Sequence, residues 1–300
     1  MEDTITIAKL TKNNVNVRSS ATTKEDNIIG FADVSDQFKI LGYENDWYIV
    51  NYLGQRAYIK SDFIKEIEMN KDDLEIVRMA YLTCDTPFYK ELNSTDIVLP
   101  MYQNVSIIKE EGIYYKVMVD GIIGYVKKDN VKKLTNTCVI VDLSRQILRV
   151  YKSGDEIYRA HIISGRKSLQ TVIGCFKIGH KVKGYQLTKD NYVDYWIEYD
   201  GNRGIHDASW QKNKYYNEVA RHAYDNYTSG YGKTYPFKYG SHGCNNMKYN
   251  DVQVVYNLVS VGDNVLVIGP NSLVKEKLIS KLNINYDYLW QDIVKVKKLV

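Results

Sequence analysis

Trp47-Tyr48-Ile49-Val50, then Gly54, then Ala57-Tyr58-Ile59-Lys60 is a stretch the chain writes twice. It returns as Tyr114-Tyr115-Lys116-Val117, then Gly121, then Gly124-Tyr125-Val126-Lys127, every position at the same offset, with Ile64 answered by Val131. Aromatic and β-branched residues alternate with polar ones on either side of a Gly turn, a pattern that reads as short antiparallel strands. Two copies of this length are a duplicated domain, not a solenoid unit. The front of the chain is therefore expected to hold two small β-barrels side by side.

The chain has 300 residues, room for two or three domains. With 44% hydrophobic and 25% charged residues, each part can bury a core without a disulfide scaffold. The net charge of +4 is spread over mixed Lys, Arg, Asp and Glu, so no nucleic-acid footprint emerges. The 27 Tyr suit strands and peptide or carbohydrate grooves, because each buries a ring while keeping a polar tip. The N-terminal Met1–Leu10 segment lacks a basic region followed by an apolar run, so it does not read as a signal peptide. The chain is expected to be either cytosolic or a mature, trimmed form, and no apolar run in it approaches a membrane span.

Beyond Thr137 the pattern changes. Val139–Leu143 and Ile147–Tyr151 read as a hairpin around Ser144-Arg145-Gln146, and Ser153-Gly154 turns the chain into 157–164. Thr171, Gly174, Phe176 and Ile178 mark another strand, residues 251–259 have helical spacing, and Val265–Ile268 reads as a buried closing strand. The 271–300 tail mixes Lys with Leu, Ile and Val in the manner of an amphipathic helix.

Four cysteines are present: Cys84, Cys138, Cys175 and Cys244. The first three sit in apolar, strand-like runs and read as buried, inert thiols. Cys244 differs, because it lies in Gly240-Ser241-His242-Gly243-Cys244-Asn245-Asn246-Met247. A thiol attacks carbonyls only as thiolate, which needs a nearby imidazole to take the proton. Gly204-Ile205-His206-Asp207-Ala208-Ser209-Trp210 offers one in His206, while His161, His180 and His222 read as ordinary surface or capping residues. Glycine beside the cysteine lets backbone N–H groups reach a developing oxyanion. A zinc site from His206, His242 and Cys244 is the rival reading, but it lacks an obvious fourth ligand or water-activating carboxylate.

These motifs resemble the YkuD-type L,D-transpeptidase catalytic domain. The resemblance rests on Ser241-His242-Gly243-Cys244, on Gly204–Trp210, on Val141-Asp142-Leu143-Ser144-Arg145-Gln146, and on Thr171, Gly174, Phe176 and Ile178. The first copy of the repeat resembles bacterial SH3-like wall-targeting domains through Asn16-Val17-Arg18-Ser19-Ser20, Ile28-Ile29-Gly30 and the Trp47–Val50 and Tyr58–Lys60 strands; the second lacks the Asn-Val-Arg-Ser element. The resemblance implies a mainly β chain: an SH3-like barrel at 1–68, a divergent SH3-like barrel at 75–135, a β-rich L,D-transpeptidase domain with a few helices at 138–270, and a helical tail at 271–300. It implies peptidoglycan 3→3 cross-linking through a thioacyl-enzyme, with no cofactor and no metal. Cys244 would be the nucleophile and His206 the base, oriented by the Asp207 carbonyl or its carboxylate. His242 and Gly243 would shape the oxyanion region, with the N–H groups of Gly243 and Cys244 as donors. Trp210 would line the peptide groove, Asn246 would sit near the substrate carboxylate, and Ser241 and Tyr195 are further substrate contacts. The partners implied are donor and acceptor stem peptides and the wall polymer, hence an extracellular, wall-associated location. L,D-carboxypeptidase action and a non-catalytic wall-binding protein are the alternatives. Three departures stand out: Asn245 where an aliphatic residue is usual, Val172 in place of Pro, and a long Tyr- and Lys-rich stretch between His206 and Ser241 that reads as an inserted helix and loop.

Overall fold

The repeated stretch forms the same hairpin twice. In the computed structural model, which describes residues 3–24, 26–90, 97–165, 169–211 and 240–269, strand Trp47–Tyr52 pairs with Gln55–Lys60 and strand Tyr114–Val119 with Ile122–Lys127. The registers match, Trp47 facing Lys60 and Tyr114 facing Lys127. Each hairpin closes through two residues of positive φ, Leu53-Gly54 (+49°, +82°) and Asp120-Gly121 (+48°, +75°). That geometry matches the right-handed strand twist and is the reason Gly stands second in both turns. Each outgoing strand then enters one short 3-10 turn, Ser61–Phe63 or Lys128–Asn130, before the next strand at Ile64 or Val131.

Around these hairpins residues Thr4–Asn70 build one seven-stranded sheet, and Arg78–Lys133 a five-stranded sheet with a two-stranded companion. Each encloses its own apolar cluster, one about Val17, Val50 and Ile59, the other about Leu82, Leu99 and Val117. The Asn-Val-Arg-Ser element braces the 19–27 loop. Arg18 Nη1 donates to Asn27 Oδ1 at 2.7 Å, and Asn27 Nδ2 in turn donates to the Ser20 carbonyl and hydroxyl.

The last part is a two-sheet sandwich. One sheet runs in the order Asp155–His161, Ile147–Lys152, Thr137–Asp142, Asn264–Ile268, Gly174–Lys177; the other in the order His180–Thr188, Asn191–Asp200, Arg203–Asp207, Asn245–Met247. Strand 264–268, buried as expected, lies inside the first sheet, parallel to 137–142. Strand 137–142 is apolar without alternation because both its faces are covered. Val139 and Val141 enter the core between the sheets, with Tyr195, Ile197, Ile205, Met247 and the helix residues Val252 and Val255. Cys138 and Ile140 face the other way and pack with Met79 and Tyr81 of the second barrel. The helix spans Tyr249–Leu258, two residues ahead of the expected start, and Lys181 Nζ binds the carbonyls of Tyr256 and Val259 at its C-terminal end.

The first barrel also docks on this sandwich. Arg159, buried, pairs through its guanidinium with Asp36 and Glu156 and donates to the Phe31 carbonyl, while the Phe31 ring stacks on His161 at 4.0 Å. Cys84, expected to be buried, is exposed just beyond strand Arg78–Leu82, because the apolar run ends before it; Cys138 is buried and Cys175 half-buried. The 271–300 tail, most of the Tyr- and Lys-rich stretch and His222 lie outside the described residues.

Candidate active site

A parallel ladder brings the two motifs together. Ile205 pairs with Asn245, His206 with Asn246 and Asp207 with Met247. Paired residues of a ladder share a face, and the face alternates along the strand. His206, Asn246, Gly204 and Cys244 therefore lie on one face, while Ile205 and Met247 enter the core. Cys244 comes immediately before its strand, beside Gly204, and a hydrogen bond from the Gly204 backbone reaches its sulfur. Bare Gly is needed at 204, since a β-carbon there would stand 2.6 Å from the Ile197 carbonyl and 2.9 Å from the Trp196 ring.

His206 is buried, and its Nδ1 lies 2.6 Å from the Asp207 carbonyl. A carbonyl only accepts, so Nδ1 carries the proton and Nε2 keeps its lone pair. The Asp207 carboxylate is engaged elsewhere, accepting from the Tyr195 backbone N–H at 2.9 Å. Of the two ways Asp207 could orient the ring, the carbonyl is the one in contact. Burial pushes the His206 pKa below its ordinary value, against the opposing pull of the Asp207 hydrogen bond. Burial likewise pushes the Cys244 thiol up, opposed by the Gly204 hydrogen bond and by Arg203. Both groups thus rest neutral near pH 7.

The loop before the cysteine is held from within. Ser241 Oγ accepts from the Gly243 N–H at 3.0 Å and donates to the Cys244 carbonyl. Ser241, expected as a substrate contact, thus braces the loop, and the Gly243 N–H, expected as an oxyanion donor, is engaged by Ser241. Gly243, at φ +117°, takes a conformation that favours glycine. Thr171 Oγ1 donates to the Gly243 carbonyl and accepts from the Gly165 N–H, both at 2.9 Å. Gln146 grips Ser164 by donating to its hydroxyl and accepting from its N–H, and the Ser164 carbonyl takes the Ser241 N–H. The Gln146 and Thr171 positions, read only as family markers, are thus supports of the cysteine loop. His242 is exposed.

Tyr195, expected as a substrate contact, is placed elsewhere. It is buried in the core on the side away from His206, its hydroxyl accepting from Gln253 at 2.7 Å. Its neighbour Trp196 pairs with His206 across the ladder and shares its face, with ring centroids 5.6 Å apart. Trp196 stacks on Tyr185 at 4.9 Å, and Trp210, exposed, lies 6.0 Å from the His206 ring, so an aromatic row frames the imidazole. Asn246 is buried beside His206 and its Oδ1 has no hydrogen-bond partner among the described residues. Asn245 points inward and donates to the Tyr199 hydroxyl at 2.9 Å, which is how the core accepts an amide where an aliphatic residue is usual. Among the described residues no group of three or more His, Cys, Asp or Glu is placed to hold a metal ion, and no helix is long and apolar enough to cross a membrane.

Comparison with known families matches residues 136–267 to the YkuD L,D-transpeptidase catalytic domain and residues 13–65 to the bacterial SH3 domain. None of the curated proteins matches the chain. Similar solved structures include an L,D-transpeptidase from Stackebrandtia nassauensis, 25% identical over 45% of this chain and 56% of that one, with a TM-score of 0.34. The catalytic domain of an Enterococcus faecium L,D-transpeptidase is 28% identical over 44% of this chain and 96% of that one, at 0.34. An L,D-transpeptidase from Mycobacterium tuberculosis H37Rv is 17% identical over 64% of this chain and 80% of that one, at 0.34. The match thus spans little more than half the length of the Stackebrandtia protein.

Proposed function

Proceeding from an L,D-transpeptidase catalytic domain at residues 136–267, we propose that this protein joins peptidoglycan stem peptides by 3→3 cross-links through a thioacyl-enzyme on Cys244. The observation that carries the reading is the parallel ladder, which sets Cys244 and His206 on one face of adjacent strands with the Asp207 carbonyl on Nδ1 of the imidazole. His206 Nε2 takes the thiol proton as the sulfur attacks the carbonyl carbon of the third stem residue. The carbon–nitrogen bond to the terminal D-Ala breaks, and His206 returns the proton to the departing amine. The side-chain amine of a neighbouring stem then attacks the thioester, giving its proton to His206, and the restored amide releases the sulfur. With the Gly243 N–H engaged by Ser241, the Cys244 N–H is the remaining candidate donor to the oxyanion. Trp196 and Trp210 frame the imidazole, the exposed Trp210 lining the peptide groove, and Asn246 is buried beside His206 near the substrate carboxylate. The site acts at the wall, with the bacterial SH3 domain at 13–65 holding the polymer.

Intact-mass analysis after exposure to a tetrapeptide muropeptide tests the reading. Loss of D-Ala with a thioester on Cys244, followed by dimers, is expected. Trimmed monomers alone would make the protein an L,D-carboxypeptidase. A Cys244→Ala variant that still gained a carbapenem adduct at the parent rate would end the nucleophile assignment.

A further inference from the structure

The mechanism leaves one charged residue beside the nucleophile without a role. Arg203 opens the strand Arg203–Asp207, next to Gly204, and its side chain lies across the backbone of Gly243. A β-carbon on Gly243 would stand 3.0 Å from Arg203 Nε and 3.3 Å from its Cδ, so glycine at 243 makes room for the guanidinium stem as well as for the turn. Arg203 Nη1 donates to Asp200 Oδ2 at 2.8 Å across the tight turn through Gly201, which fixes the guanidinium from its far side. The pair is about one-third exposed, so water reaches it but does not surround it.

We propose that Arg203 is a positioning residue whose fixed positive charge holds the Cys244 sulfur in its anionic form once His206 has taken the proton. A buried sulfur anion needs a nearby cation, since burial disfavours charge. His206 is itself buried and rests neutral, so it supplies a positive charge only after proton transfer. A guanidinium brings its positive charge without taking a proton from the thiol. The other groups facing the sulfur do not serve. On its own strand Arg203 is followed by His206 and Asp207. The neighbouring strand brings Tyr199, Asp200 and Glu198, the last opposite Gly204. Tyr199 is held neutral by burial, and Asp200 and Glu198 are acidic. His242, from the cysteine loop, is exposed. Arg203 opposes the upward push of burial on the thiol.

The inference bears on catalysis only if Cys244 is the nucleophile, but its test needs nothing beyond the thiol. The full chain and its R203Q and R203K variants would be alkylated with iodoacetamide across pH 6–10 and read peptide by peptide. Exposed Cys84 controls for reagent, and buried Cys138 stays protected only while the fold holds. R203Q is expected to slow Cys244 alkylation about tenfold at pH 7 and move its pH midpoint upward, with Cys84 unchanged, as loss of a nearby cation requires. R203K should restore most of the rate. An unchanged Cys244 profile in R203Q, with Cys138 still protected, overturns the proposal. If Cys138 becomes reactive in R203Q, D200N decides: freeing the guanidinium of its carboxylate should speed Cys244 alkylation, and an equal or slower rate overturns the proposal. A failed alkylation result leaves the transpeptidase reading standing, whereas a muropeptide assay without turnover leaves the role of Arg203 at the thiol intact.

Discussion

His206 is oriented by the main chain of Asp207, with Nδ1 2.6 Å from that residue's carbonyl, while the Asp207 side chain turns to the amide of Tyr195 on the next strand. One residue thus plays two separate roles through two different groups. The carbonyl selects the tautomer that leaves Nε2 able to take a proton. The carboxylate fastens the strand Asn191–Asp200, whose alternate residues fill the core and frame the imidazole.

Substitution at Asp207 should therefore affect stability more than catalysis. Asp207→Asn keeps an acceptor for the Tyr195 N–H and is expected to stay close to the parent in both respects. Asp207→Ala leaves that buried N–H unsatisfied, at a cost of about 1–3 kcal/mol in urea unfolding. Its rate at a temperature where it remains folded should fall less than tenfold, because the carbonyl is still present. A folded Asp207→Ala protein as inactive as His206→Ala would assign the orienting role to the carboxylate.

The acid side of the rate profile should reflect the buried imidazole. Burial holds the folded-state pKa of His206 below the ordinary 6.5, so the ring stays neutral and able to accept a proton on further acidification. The acid limb of kcat/KM is expected below pH 6.5, and a limb centred above it would require a different essential ionisation.

The hairpins, and the two motifs that the ladder sets side by side, were legible in the amino-acid sequence, and for local reasons. Leu53-Gly54 and Asp120-Gly121 occupy turns whose positive φ values call for glycine, and strand alternation on either side sets the register. The Ser241–Cys244 and Gly204–Trp210 motifs carry their chemistry in adjacent residues. What depended on which face a residue occupies was harder. Tyr195 and Trp196 are both aromatic neighbours on one strand, and only the ladder to His206 turns Trp196 to the site and Tyr195 to the core. The position of Arg203 against Gly243 is a tertiary fact of the same kind. Asp33 and Asp36 are met by two arginines more than a hundred residues away, which nothing in their local sequence reveals.

That distant meeting makes the docking of the first barrel sensitive to acid. Burial alone would raise the Asp36 pKa, but Arg159 and Arg149 outweigh it and hold the carboxyl at about 2, below its ordinary 3.8. A depressed carboxyl stabilises the fold above its unfolded value, and that contribution disappears as pH falls from 3.8 towards 2. It amounts to about 2 kcal/mol. Urea unfolding measured from pH 6 to pH 2 should show this decline in the parent and lose that part of it in Asp36→Asn. The variant should also be less stable at pH 6, since it leaves the buried Arg159 with less countercharge. Equal slopes in the two proteins would place the acid-sensitive group elsewhere.

Asn245 offers a case where removing a hydrogen bond should help. Its side chain is fully buried, Nδ2 donates to the Tyr199 hydroxyl at 2.9 Å, and Oδ1 has no partner among the described residues. A half-satisfied buried amide is worse than an apolar side chain of similar size. Asn245→Val alone removes the orphaned oxygen but strands the Tyr199 hydroxyl, so it should be near neutral. Tyr199→Phe alone strands the amide and should cost about 1–2 kcal/mol. Together the two changes replace both partners with apolar groups and are expected to exceed the parent in stability by about 1 kcal/mol. The coupling is read directly from a double-mutant cycle of urea unfolding. If the costs of the single changes simply add, the amide and the hydroxyl do not share one buried bond.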